Sequence, residues 1–280
     1  MRQKISDRIP EALWIASRAN PRIVALAKLS QPKYRREEKL FLAEGVKLSR
    51  EAAGLPEVRY ILISSDDGYA DASVLDIAAA RPSGCEVLIL PAAAFSKVST
   101  ENAPQGVITV LQDMERLHRP WDPVSLEAAP DSRLLAVDGV QDPGNLGTII
   151  RTARAFGYRR LFLGGCADIY HPRTVRASMG ALFRTEIVLC PDLPAALAAL
   201  RSSGRRILAA ALSQNALQLG EAMLDARDCI VIGNEGHGVS PEVCAASDAL
   251  IRIPMEEGCE SLNAAGAAAV LMWEYYRTFG

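Results

Sequence analysis

The sequence predicts a two-part α/β protein, with a mainly parallel sheet in a larger C-terminal domain and a smaller α/β domain before it. Three observations carry this expectation. Short apolar runs alternate with helical stretches along nearly the whole chain. The runs in the second half are almost continuous in Val, Ile and Leu, as expected of strands covered on both faces. The length of 280 residues, at about 150 residues per domain, favours two domains. A composition of 49% hydrophobic and 23% charged residues excludes a disordered chain.

Taken in order, residues 1–21 read as a peripheral arm. Residues 22–29 have apolar positions at helical spacing, and Gln31 to Arg36 reads as a basic turn. A strand at 41–45 leads into a helix at 46–53. Strand–helix alternation follows at 60–64, 71–80, 87–90 and 91–97, closed by a strand at 106–112. Residues 114–132 hold Pro120, Pro123 and Pro130 without periodicity, which marks a linker. The boundaries are therefore an arm at 1–21, a first domain at 22–113, a linker at 114–132 and a second domain at 133–280. In the second domain, strands are expected at 134–140, 160–164, 185–190, 206–212, 229–234 and 249–254. Helices are expected at 146–156, 174–182, 193–203, 219–226, 241–246 and 261–276. No internal repeat is present.

Several function classes fail on this sequence. The six cysteines form no CxxC and pair with no histidine motif, so neither a disulfide framework nor a metal site is expected. The longest uncharged apolar run, 264–273, is half the roughly 20 residues that span a bilayer. No apolar segment follows the basic N-terminus, so a cytoplasmic protein without membrane attachment is expected. P-loop, GxGxxG, GxSxG and HExxH patterns are all missing.

Charge is unevenly placed. Residues 1–60 carry a net +6, 61–130 a net −6, 131–184 a net +4 and 185–280 a net −6. Two basic segments in a chain of net −2 suit one phosphate-facing surface. After Lys97 every fixed cation is an arginine, whose fork suits phosphate.

Ligand sites in such folds gather at the carboxyl ends of strands. Three exits are rich in polar residues: Asp138 to Gly147, leading to Arg151 and Arg154; Gly233 to Ser240; and Ile253-Pro254-Met255, followed by Ser261-Leu262-Asn263. Each residue alone has a plainer reading. Asn145 and Ser261 suit helix caps, Arg151 a helix surface, Met255 and Leu262 a core, and His171 and His237 ordinary loops. Together the three exits read as one composite site.

These segments resemble a known family. Asn145-Leu146-Gly147-Thr148-Ile149-Ile150-Arg151 is similar to the N-x-G-x-x-x-R motif of the SpoU, or TrmH-like, RNA 2'-O-ribose methyltransferases of the SPOUT superfamily. Val231 to Gly238 resembles that family's second motif, and Ile253-Pro254-Met255 with Ser261-Leu262-Asn263 its third. Asn20-Pro21-Arg22, the turn from Lys33 to Arg36, Ala43-Glu44-Gly45 and Pro104 to Val107 resemble the family's ribosomal-protein-like RNA substrate-binding domain. The match spans residues 20–277. It departs from the family in the acidic loop from Glu256 to Glu260 and in the small residues Ala264-Ala265-Gly266.

The resemblance implies a trefoil-knotted C-terminal α/β domain, a homodimer and methyl transfer from S-adenosyl-L-methionine to a ribose 2'-hydroxyl. Ribosomal RNA is the favoured substrate; transfer RNA, and a non-catalytic RNA-binding protein, are the alternatives. It implies catalytic roles for Asn145, Arg151, Glu235, Ser261 and Asn263, with Arg151 positioning the ribose and stabilising the developing alkoxide. Arg is too weak an acid to be an easy base. It implies cofactor contacts from Leu212, Gly233, Asn234, Ile253, Met255 and Leu262, and no metal. Candidate RNA contacts are Arg22, Lys33, Arg35, Arg36, Arg154, Arg173 and Arg176.

Overall fold

The computed structural model describes residues 5, 7–66, 72–122, 133–256, 258 and 261–279. The chain divides into two compact units. The first is Met1–Met114 together with Tyr170–Phe183; the second is Glu115–Ile169 together with Arg184–Gly280.

The first unit is built on a five-stranded mixed sheet, in the order β1-β4-β3-β5-β2. The strands are β1 (Leu13–Trp14), β2 (Leu40–Glu44), β3 (Val58–Ser64), β4 (Glu86–Leu90) and β5 (Val107–Gln112). Helices α1 (Pro21–Ala27), α2 (Pro32–Glu38), α3 (Val46–Ala52), α4 (Ala72–Ala79) and α5 (Ala92–Val98) surround it. Asn20 caps α1 by accepting from the Arg22 amide at 2.9 Å, and Pro21 takes the first turn, where a missing N–H costs nothing. Ile23, Leu26, Leu42, Leu62, Leu88, Phe95 and Ile108 form one buried cluster. Phe41, pointing the other way from Leu42 by strand alternation, stacks on Tyr170 at 4.3 Å between ring centroids. Helix α7 (Pro172–Ser178) packs beside β2.

The second unit holds an eight-stranded sheet in the order β11-β13-β10-β12-β7-β8-β9-β6, with its described pairs all parallel. Its strands are β6 (His118–Pro120), β7 (Leu134–Asp138), β8 (Arg160–Gly164), β9 (Glu186–Cys190), β10 (Ile207–Ala210), β11 (Leu217–Gln218), β12 (Cys229–Ile232) and β13 (Ala249–Arg252). Its helices are α6 (Pro143–Ala155), α8 (Leu193–Ser202), α9 (Pro241–Ala246) and α10 (Ala264–Phe279). Leu134 and Ala136 share a core cluster with Phe162, Val188, Leu197 and Val243, while the alternate residues Leu135 and Val137 are equally buried. Both faces of β7 are therefore covered, which explains its unbroken apolar sequence. At the opposite end from the strand exits, the buried Asp228 carboxylate accepts from the Tyr275 hydroxyl at 2.6 Å and from two of the Arg206 guanidinium nitrogens, Nη2 and Nε, at 2.7 and 2.8 Å. This network ties the end of α10 to the strand starts.

Several sequence expectations are corrected. Gln31 to Arg36 is not a turn: Pro32 starts α2, which closes at Lys39 in the left-handed region at φ 53°. Residues 219–226 form no helix; β11 precedes them, and turns follow. The sixth helix starts at Pro143 rather than 146, because Asp142 caps it by accepting from the Asn145 amide at 2.8 Å. The 114–132 segment contributes β6, which pairs with β9, and the 1–21 arm contributes β1, which pairs with β4. Pro123, Pro130, Glu257, Cys259 and Glu260 lie outside the described residues. No helix among the described residues is long and apolar enough to cross a membrane.

Candidate active site

Because β7, β12 and β13 belong to one parallel sheet, their carboxyl ends open on the same side. The three loops that leave them are joined by side-chain hydrogen bonds. The Asn145 amide nitrogen donates to Glu235 Oε1 at 3.0 Å, and the Asn263 amide nitrogen donates to Asn145 Oδ1 at 3.1 Å. The polarity of this chain is fixed at both ends. A carboxylate only accepts, so Asn145 must turn its nitrogen towards Glu235. Asn263 must turn its oxygen to the start of α10, where it accepts from the amides of Ala265 and Gly266 at 2.9 and 3.3 Å.

Backbone groups complete the junction. Glu235 also accepts from the amides of Gln141 and Asp142 at 3.3 and 3.2 Å. Partial burial pushes the Glu235 carboxyl up, but the hydrogen bonds from Asn145 and backbone amides outweigh it and hold it below its ordinary value of 4.5. Asn234 folds its own loop, accepting from the amides of Gly236 and His237, and donates across to the Gly139 carbonyl at 2.7 Å. Asp138 accepts from the Ser240 amide at 2.7 Å. Near these loops the Cys166 thiol is pushed up to about 12 by burial, so it stays protonated and is no nucleophile.

Beside this junction lies a cavity of about 510 Å³, a size suited to a small organic ligand. Leu212, Gly233, Asn234, Ile253, Met255 and Leu262 all line it, as do Glu235 and Ser261. Its walls combine apolar side chains with backbone amides and carbonyls, which suits a flat heterocycle with polar edges. Gly233 is fixed by crowding. A Cβ there would stand 2.2 Å from the backbone of Gly238 and Val239. Among the described residues no cluster of His, Cys, Asp or Glu is arranged to hold a metal.

The structure thus brings Asn145, Glu235 and Asn263 into one contact chain and Ser261 to the cavity wall. It leaves Arg151 outside that chain. Arg151 stands six residues after Asn145 on α6, about 9 Å along the axis and a third of a turn around it. It is exposed, and its side chain makes no hydrogen bond or ion pair with a described residue.

The candidate RNA contacts separate similarly. Arg35 is corrected: it is 2% exposed and donates inward to the Leu29 carbonyl at 2.7 Å, so its guanidinium is a structural strut. Arg22 pairs with Glu86 at 2.7 Å, and Arg176 pairs with Glu101. Lys33, Arg36 and Arg173 are exposed, and Arg154 is half-buried. His237, read from the sequence as an ordinary loop residue, lines the cavity. Residues not singled out from the sequence include Gln141 and Asp142, whose backbone serves Glu235, and Arg252, which lines the cavity. The Asp142-Pro143 pair is a legible helix-start signal; the others have none.

Comparison with known proteins places the chain in a family. The profile of the SpoU rRNA Methylase family matches residues 132–273, and that of the MRM3-like substrate binding domain matches residues 20–109. The chain is 32% identical over 260 residues to the 23S rRNA (guanosine(2553)-2'-O)-methyltransferase RlmP of Bacillus subtilis, covering 92% of this chain and 97% of that protein. The crystal structure of an AdoMet-bound rRNA methyltransferase from Sinorhizobium meliloti superposes with a TM-score of 0.82 at 28% identity, covering 96% of this chain and 99% of that one. The SpoU methyltransferase AviRb from Streptomyces viridochromogenes, in complex with AdoMet, gives 0.77 at 25% identity, covering 92% and 98%.

Proposed function

Because the chain belongs to the SpoU rRNA Methylase family, we propose that it transfers a methyl group from S-adenosylmethionine to a ribose 2'-hydroxyl of ribosomal RNA. The observation that carries this reading is the Asn263–Asn145–Glu235 chain, which locks three strand exits together beside a cavity lined by all six expected cofactor contacts.

S-adenosylmethionine supplies a methyl group made electrophilic by its positive sulfur. The chain's own residues do the rest. Backbone groups around Gly233, Ile253 and Met255 hold the adenosine part, and Leu212 and Leu262 cover it. Gly233 lets the backbone come close. Glu235, ionised at neutral pH, keeps Asn145 in one orientation, so the polar wall is set before RNA arrives. Ser261 completes that wall. Arg151 binds the target ribose and its phosphate; as the 2'-oxygen bonds to the methyl carbon, the carbon–sulfur bond breaks to leave S-adenosylhomocysteine and the hydroxyl proton passes to solvent, while Arg151 stabilises the charge developing on the oxygen. Alignment of oxygen, methyl carbon and sulfur is the main contribution, worth up to about 7–11 kcal/mol in favourable cases.

The reading extends to a trefoil-knotted C-terminal segment, a homodimer and a cytoplasmic location. Two facts support the dimer. Val270, Trp273 and Tyr276 stand exposed on α10, with Phe156 against the two rings. Arg151 lies outside its own protomer's contact chain; across a two-fold interface it would serve the partner's cleft. Residues 22–113 are assigned to RNA binding and 133–280 to catalysis.

The test is transfer of radiolabelled methyl to undermethylated RNA, with ribosomal and transfer RNA separated. Label in alkali-resistant dinucleotides of ribosomal RNA is expected. Arg151→Ala abolishes transfer and leaves S-adenosylmethionine affinity nearly unchanged. Mixing Arg151→Ala with Glu235→Gln chains restores part of the activity if the site is shared. Label confined to transfer RNA, or no label with no cofactor binding, refutes the reading.

A further inference from the structure

We propose that Tyr34 is a stacking platform for an unpaired base of the RNA substrate, with Lys28 and Lys33 clamping the neighbouring phosphates. This rests on the RNA-methyltransferase reading above and adds to it a subsite in the first unit.

Residues 28–39 hold five cations and two acids. Their arrangement is not that of an evenly solvated face. Arg35 is withdrawn into the protein, and its bond to the Leu29 carbonyl ties the 3-10 turn Lys28–Ser30 to α2. That tie brings two residues six apart in sequence together. The Lys28 ammonium stands 4.9 Å from the centroid of the Tyr34 ring, and the Lys33 ammonium 5.9 Å. Lys28 makes no ion pair with a described residue. Among the described residues the ion-pair partner of Lys33 is Glu37 at 3.9 Å, exposed at both ends, which salt screens readily.

A half-buried ring flanked by two weakly committed ammonium groups fits a ligand with a flat π-face beside an anion. An unpaired nucleotide has both. Paired RNA hides its base faces within the stack and offers only phosphate. In the free protein the ammonium groups occupy the ring's surroundings through cation–π contacts, which at exposed sites are weak enough to give way. On binding, the base takes the ring and the ammonium groups move onto the flanking phosphates. Arg36, exposed on the same helix, extends the phosphate track. Arg35 acts only by holding the turn to the helix, so it is a positioning residue.

The test uses the full chain and ten-nucleotide single-stranded oligoribonucleotides carrying 2-aminopurine at successive positions. Binding is expected to quench 2-aminopurine at one position. Tyr34→Leu is expected to bind about tenfold more weakly, equivalent to about 1.4 kcal/mol, and to lose that quenching. Tyr34→Phe retains both, because the ring is retained. Lys28→Gln retains the quenching but lowers the slope of log affinity against log salt by about 0.7. Wild-type affinity and quenching in Tyr34→Leu overturn the proposal, as does a Tyr34→Phe variant as weak as Tyr34→Leu. If methyl transfer proceeds but the KM for ribosomal RNA is unchanged in Tyr34→Leu, the platform falls and the enzymatic reading stands. If the oligonucleotide is quenched by Tyr34 but no RNA is methylated, the platform stands and the enzymatic reading falls.

Discussion

Gly233→Ala tests the cavity at its tightest point. The new methyl carbon would meet the Gly238 carbonyl carbon and the Val239 nitrogen at 2.2 Å. Ordinary contact begins at 3.4 Å, so backbone must retreat by about 1.2 Å. The retreating segment is pinned by the paired bonds between Asn234 and Gly238, at 2.8 and 3.0 Å, and by the Asn234 side chain. Forcing extra atoms into such packing costs about 1–3 kcal/mol. The same displacement moves the wall proposed to hold the cofactor, so affinity for S-adenosylmethionine should fall about 5- to 150-fold, the same energy range expressed as a ratio. Isothermal titration calorimetry measures the affinity and a thermal melt the stability. Gly266→Ala is the control. Nothing lies within 4 Å of its Cβ position, and it sits in α10, where alanine is favoured over glycine by about 1 kcal/mol. A Gly233→Ala protein with wild-type affinity and melting temperature would refute the argument that this glycine is required by contact.

Other expectations follow from the same contacts. Glu235→Gln keeps the size but turns one acceptor oxygen into a donor, which must face either the Asn145 amide nitrogen or the Gln141 backbone N–H, so kcat should fall by one to two orders of magnitude while the melt changes little. Because the Glu235 carboxyl is held below its ordinary value, the wild-type contact chain is intact above that value and is lost only as pH falls through the lowered one. The acid limb of cofactor binding should therefore lie below 4.5, and Glu235→Gln should remove it. Asp228→Ala leaves the buried Tyr275 hydroxyl without its acceptor, while Arg206, partly exposed, keeps its bond to the Met223 carbonyl; urea denaturation should show a loss of about 1–3 kcal/mol. Arg35→Ala should lower stability by about 1–3 kcal/mol through the unpaired Leu29 carbonyl and the lost packing; an RNA-affinity loss with unchanged stability would contradict its role as a strut.

The longer strands of both sheets were legible because continuous Val, Ile and Leu runs have few other uses, whereas the two- and three-residue strands β1, β6 and β11 carry no such run and were missed. Their pairing order was not, since β7 lies between β8 and β12 by tertiary contact alone. The basic stretch at 31–36 read as a turn because its charges hide the helix, which is set instead by Pro32 at its start and by the inward course of Arg35. The 219–226 stretch had apolar residues at helical spacing, yet Gly220 takes φ 96°, a conformation that breaks a helix. In the site, Asn145, Glu235 and Asn263 were legible only as a set, through resemblance, because each alone suits a cap or a loop. The donors from Gln141 and Asp142 were not legible, because backbone amides leave no mark in side-chain sequence.

The order of the parallel sheet sets an order in time. Leu134 pairs with Arg160, twenty-six residues on, but its other neighbour is Cys229, ninety-five residues on. Loop-closure entropy favours the near partner, and pairings between distant segments slow folding. Strands β7, β8 and β9 can therefore condense before β10, β12 and β13 join them. The cavity lies wholly on the later half. A refolding chain should regain much of its helical circular dichroism before it regains any affinity for the methyl donor, so incompletely folded molecules remain catalytically silent.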